Sequence, residues 1–172
     1  PNTQISFQAG AFISQDIGFP VIPGSSVTVS DGYDVTAAGT DIGGMSDQFH
    51  FNRERYERAG DFDVRVRVAN FTASDAQAKA ALMARESLQT NSRFAGTVTT
   101  PSLTGAFFSY RLSAGGSAAN VGSAPARFPN MWLRLKRGGN TLTGFVSADG
   151  SSWSTLGSIT LPNLAPTLYV GM

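Results

Sequence analysis

At 172 residues the chain suits one domain, large enough to bury roughly 70% of the surface of its unfolded form. Its 13 basic residues stand against 12 acidic ones, a net charge of +1, and it has no cysteine. The balance excludes an electrostatic nucleic-acid binder, and the missing thiols exclude disulfides, thiolate catalysis and cysteine-held metals.

The chain opens "PNTQISFQAG", in which Ile5 and Phe7 alternate with polar residues over 3–8, a strand pattern. With 19 glycines and short apolar stretches between turn signals, further strands are expected at 11–17, 26–30, 32–37, 48–52, 62–71, 94–99, 106–112, 131–137, 141–147 and 167–171. The clearest is "DFDVRVRVANF", with Phe62, Val64, Val66 and Val68 on one face and Asp63, Arg65 and Arg67 on the other. Between them, "SDAQAKAALMARESL" is made of good helix formers behind Ser74 or Asp75, so propensity by itself predicts a helix over 76–88. Further on, "LRLKRGGNTLTGFVS" and "FVSADGSSWSTLG" place Gly138-Gly139-Asn140 and Asp149-Gly150 at hairpin turns. No apolar run reaches the ~20 residues of a membrane helix, and no membrane insertion is expected.

The basic residues Arg53, Arg55, Arg58, Arg65, Arg67, Arg134, Lys136 and Arg137 are interleaved with apolar or acidic neighbours and read as solvated strand faces. The single histidine, His50, stands opposite Phe49 and Phe51 in the alternation of "DQFHF"; without a second histidine there is no histidine metal cluster, and no nucleophile-elbow motif marks a serine for it to activate. Catalytic residues are therefore not expected, and neither is a cofactor. The nearest approach to a metal site is Asp31, Asp34, Asp41 and Asp47, oxygen ligands of the type calcium takes, although they form no contiguous calcium loop. The start at Pro1 rather than Met reads as a processed chain whose secretion signal has been removed, placing the protein outside the cell or at its surface.

Seven blocks, "SQDIG", "DGYDVTAAGTDIGGMSDQFHF", "GDFDVRVRV", "AKAALMARESL", "FFSYRL", "WLRLKRGGNTLTGFVSADGSSW" and "LYVGM", occur in the order of a known family. From about Phe12 onward the chain resembles the concanavalin A-like, laminin G-like jelly-roll domains of secreted bacterial proteins. The resemblance implies an all-β fold, a two-sheet antiparallel jelly-roll sandwich over 11–172 with an N-terminal arm at 1–10. It also turns "AKAALMARESL" into a strand, with Ala78, Ala80, Leu82 and Ala84 on one face and Lys79, Ala81, Met83 and Arg85 on the other.

Such domains continue past the "LYVGL"-like strand into a closing strand beside the first; here the printed sequence has an extra strand in front instead. Residues 3–8 either cross to a neighbouring copy, fold back on their own domain through Ala9-Gly10, or leave an edge open. A two-residue hairpin favours φ > 0 at its first central position, where Ala9 is a poor choice, so donation through a Gly10 hinge is favoured. Ile5, Phe7 and Gly10 are then the assembly residues, and the expected protein is a non-catalytic fibre, sheath or matrix component that forms a homo-oligomer or homopolymer. The alternative is a monomeric carbohydrate-binding module gripping a polysaccharide through Tyr33, Tyr56, Tyr110 and Trp153, with Trp132 and Trp153 otherwise read as packing residues. A hydrolase would lean on Asp61 and Asp63, but the glutamates of the glucanase pattern on this fold are lacking.

Overall fold

The computed structural model describes residues 12–101 and 104–172. The arm at 1–10, with Ile5, Phe7 and Gly10, lies outside the described residues. Everything described is strand, turn or loop. The strands are β1 (Phe12–Ile17), β2 (Ser25–Val29), β3 (Gly32–Thr36), β4 (Phe49–Glu54), β5 (Arg58–Ala59), β6 (Phe62–Val68), β7 (Ala80–Arg85), β8 (Phe94–Thr99), β9 (Ala106–Arg111), β10 (Ala119–Ala124), β11 (Met131–Gly138), β12 (Thr141–Ser147), β13 (Ser154–Thr160) and β14 (Thr167–Gly171).

They form an antiparallel jelly-roll sandwich. The large sheet runs β1-β4-β14-β7-β8-β9-β10, with β5 on β14; the small sheet runs β13-β12-β11-β6; β2 and β3 make a separate hairpin. Period-two alternation builds the small sheet. Leu133 and Leu135 of β11 face inward opposite Val66 and Val64 of β6, while Arg134 and Lys136 face out. Leu133, Leu135, Leu142 and Phe108 are wholly buried between the sheets, each such side chain stabilising the fold by about 1.5–3 kcal/mol. Gly144 of β12 admits the opposing sheet closely, since a Cβ there would lie 2.4 Å from the Phe108 ring and 2.6 Å from Thr97 Oγ1.

The helix that propensity predicts over 76–88 does not form. Asp75 instead closes a turn, its carboxylate accepting the Gln77 N–H at 2.7 Å and its carbonyl the Ala78 N–H at 3.2 Å, and the chain then enters β7. Tertiary burial overrides propensity here, because β7 lies between β14 and β8 and is covered on both faces. Leu82 and Ala84 join the inter-sheet core, whereas Met83 joins a second cluster with Ile17, Ile42, Phe49, Phe51 and Phe94 on the other side of the large sheet.

Two strands went unforeseen, β5 and β10, which are short or poor in apolar residues; β13 completes the hairpin expected at Asp149-Gly150 by pairing with β12, and its Leu156 joins the inter-sheet core. The strand expected over 62–71 ends at Val68. Arg137 is also not solvated; it is 5% exposed and donates to the carbonyls of Gly139, Pro166 and Ala165.

Candidate functional site

The small sheet is shorter than the large one, and β6 is its last strand among the described residues. In an antiparallel strand alternate residues direct their N–H and C=O groups to opposite sides, so half of those of β6 point away from β11. Beyond that edge lies a cleft of about 2430 Å³, with the β2–β3 hairpin as its far wall. Val66 and Val68 are only half-buried on the near side, and Val35 is exposed on the far side. The described chain thus leaves an apolar, hydrogen-bonding edge facing open space.

The outward face of β6 and β11 is charged. Asp63 holds the Arg134 guanidinium through both carboxylate oxygens, and this hydrogen bonding raises the Arg134 pKa despite partial burial. Arg134 also lies 5.2 Å from the ring centres of both Phe145 and Trp153, a cation–π stack. Asp63 is exposed on the face it shares with Arg65 and pairs across the strands with Arg134, and Asp61 ends a turn, accepting the Gly139 N–H at 2.7 Å.

On the other side of the large sheet, Asp47 is buried with Arg85 and Arg111. Arg111 donates to both of its oxygens at 3.0 and 2.6 Å, and Arg85 approaches at 3.3 Å. Burial lowers the Arg85 pKa to about 10, opposed by the charge of Asp47. The two guanidinium groups also donate to carbonyls of Gly43, Ser87, Gln89, Ser92 and Gly116, which fastens three loops over the second cluster.

The residues singled out for calcium are dispersed by this arrangement. Asp47 is taken by the two arginines, Asp41 pairs with Lys79, Asp31 sits at the tip of the β2–β3 hairpin and Asp34 on β3. Among the described residues no group of three or more acidic, histidine or cysteine side chains is arranged to hold a metal ion. Of the aromatics considered for sugar binding, Tyr33 and Trp153 both line the cleft. Tyr56 is exposed on the turn between β4 and β5, and Tyr110 packs on the edge of the inter-sheet core. Trp132 packs on the second turn, where a Cβ on Gly150 would stand 2.9 Å from its indole.

His50 has partners that sequence reasoning missed. Its Nε2 lies 2.7 Å from Ser14 Oγ and its Nδ1 2.7 Å from Asp16 Oδ1. Ser14 and Asp16, two apart on a strand pattern, were the available signal; their pairing with a strand 36 positions away was not.

No protein-family model matches the chain, and no curated protein matches it. Among solved structures it is similar to a functionally unknown protein from Saccharomyces cerevisiae, with 20% sequence identity and a TM-score of 0.60, over 94% of this chain and 84% of that one. At that identity the likeness speaks for the sandwich fold alone.

Proposed function

We propose that the protein is a self-assembling structural subunit of an extracellular fibre, sheath or matrix, in which residues 3–8 of one copy add as a strand in the next, at the edge of β6 that no described strand pairs. The observation that carries this reading is the β6 edge, with Val66 and Val68 half-buried beside the cleft. "TQISFQ" has the matching period of two: main-chain hydrogen bonds supply affinity, and Ile5 and Phe7 enter on one face. Their burial is worth about 1.5–3 kcal/mol each. Because the donor and acceptor surfaces differ, the contact is heterologous and repeats into an open filament unless its rotation closes a ring.

Negative-stain microscopy and light scattering of the intact chain, beside a form lacking residues 1–10, test this. The intact chain is expected to form filaments; the shortened form is expected to be monomeric and to gain thermal stability on addition of a TQISFQ peptide, but not of one with Ile5→Asp and Phe7→Asp. A monomeric intact chain overturns the reading. Polysaccharide binding is the second reading, favoured by Tyr33 and Trp153 lining the same cleft. Glycan-array binding that survives deletion of 1–10 supports it.

A further inference from the structure

The inward-facing residues of β1 are Phe12, Ser14 and Asp16, and they stand opposite Glu54, Asn52 and His50 of β4. Asn52 exchanges both of its backbone hydrogen bonds with Met172, at 2.8 and 2.9 Å. Its pairing with Ser14 is therefore the non-hydrogen-bonded kind, and so is that of Asp16 with His50 two residues along; such pairs bring their Cα atoms to about 4.5 Å and their side chains closest together. The His50 imidazole lies between Ser14 and Asp16 as a consequence of register.

The chain of contacts has a direction. Both oxygens of Asp16 accept the Gly24 N–H, at 3.1 and 3.2 Å, and the carboxylate faces His50 Nδ1 at 2.7 Å. An ionised carboxylate only accepts, so Nδ1 carries the proton and Nε2 is left to accept from the Ser14 hydroxyl at 2.7 Å. Gly24 also clamps the ring: a Cβ there would fall 2.2 Å from the imidazole. His50 is buried whereas Ser14 is exposed, so the base is shielded and the hydroxyl is reachable. Directly across from Ser14, Asn52 is 1% exposed, yet its Nδ2 has no hydrogen-bond partner. A buried amide N–H without an acceptor is costly, and an oxygen placed beside Ser14 would satisfy it.

We propose that Ser14, His50 and Asp16 form an acyl-transfer triad acting on carboxylic esters with short acyl groups, with Asn52 donating to the oxyanion. Ser14 Oγ adds to the ester carbonyl carbon as its proton passes to His50 Nε2, and the carbonyl oxygen, now negative, accepts from Asn52 Nδ2. Asp16 steadies the imidazolium. The bond from the acyl carbon to the alcohol oxygen breaks, and His50 returns the proton to the leaving alcohol. Water then repeats the sequence: His50 takes its proton, its oxygen adds to the acyl carbon, and Ser14 Oγ departs with the proton from His50. The sum is ester plus water giving acid plus alcohol, with no further reactant. A buried Asn52 beside the serine admits a carbonyl with little bulk behind it, hence the short acyl chain. The assignment uses no residue of 3–8, although His50 lines the cleft that a donated strand would enter.

The full-length chain, treated with a fluorophosphonate probe and with p-nitrophenyl acetate, tests it. One adduct per chain at Ser14 is expected by peptide mass spectrometry. Acetate release is expected to fall at least ~1000-fold in Ser14→Ala and His50→Gln and ~100-fold in Asn52→Leu. Ser14 is exposed, so Ser14→Ala should keep the parent melting temperature, and it decides the matter if His50→Gln fails to fold. A folded parent that takes no adduct, or a Ser14→Ala protein that releases acetate at the parent rate, overturns the proposal.

Discussion

The half of the sandwich under β11 and β12 and the half beyond β6 share one large sheet but are finished differently. In the first, two sheets oppose each other and Leu133, Leu135, Leu142 and Phe108 are wholly buried. In the second, no described strand follows β6 in the small sheet; the inward residues of the large sheet change from Leu82 and Val170 to Ser14, Asn52 and His50, and Val66 and Val68 are half-buried. Composition follows cover. Where a second sheet lies overhead the inward positions are mostly apolar, with Thr97 donating to the Arg134 carbonyl, and beyond it they become polar, Ser14 and Asp16 bonding to His50 while Asn52 Nδ2 has no partner. The opposite side of the large sheet has a third solution, in which loops supply the cover and a buried ion cluster holds them down.

That contrast can be broken by substitution. The largest effect is expected from Asp47→Ala, which leaves Arg85 and Arg111 buried without their counter-ion and should destabilise by about 3–5 kcal/mol, read from the denaturant midpoint. Leu135→Ala, in the sealed half, should follow at about 3 kcal/mol. The equivalent truncation at the open edge, Val68→Ala, should lower stability by less than about 1 kcal/mol, because the side chain is already half exposed. A Val68→Ala loss as large as that of Leu135→Ala would show the two halves to be equally covered. Adding the TQISFQ peptide sharpens the comparison: it should enlarge the Val68→Ala loss and leave the Leu135→Ala loss unchanged.

Much of the fold was legible because alternation and turn chemistry agree. β6, and the β11–β12 hairpin around Gly139-Asn140, show the period of two and a turn signal together. In β7 they disagree: Ala, Leu, Met and Lys favour a helix, and only the resemblance pointed to a strand, since burial on both faces is a property of the neighbours rather than of the segment. β10, with one valine and mostly exposed positions, gave little apolar signal. The candidate site was less legible for a related reason. Ser14 and Asp16 share a face by spacing, but what they touch depends on β1 pairing with β4 in one particular register. Asp47 drew attention as a metal ligand because arginines are ordinarily outside; Arg85 and Arg111, both fully buried, are exceptions made affordable only by meeting it.

The arginine cluster also sets where the chain tolerates being lengthened. Arg111 and Arg85 read out the carbonyl positions of Gly43, Ser87, Gln89, Ser92 and Gly116 one by one, so an inserted residue in any of these three loops would pull an acceptor off a buried donor. The segment between β1 and β2 is under no such constraint at its tip, where Phe19, Val21 and Ile22 are exposed. A peptide tag or a grafted domain belongs there, on the side of the molecule where sequence length is not counted by a guanidinium.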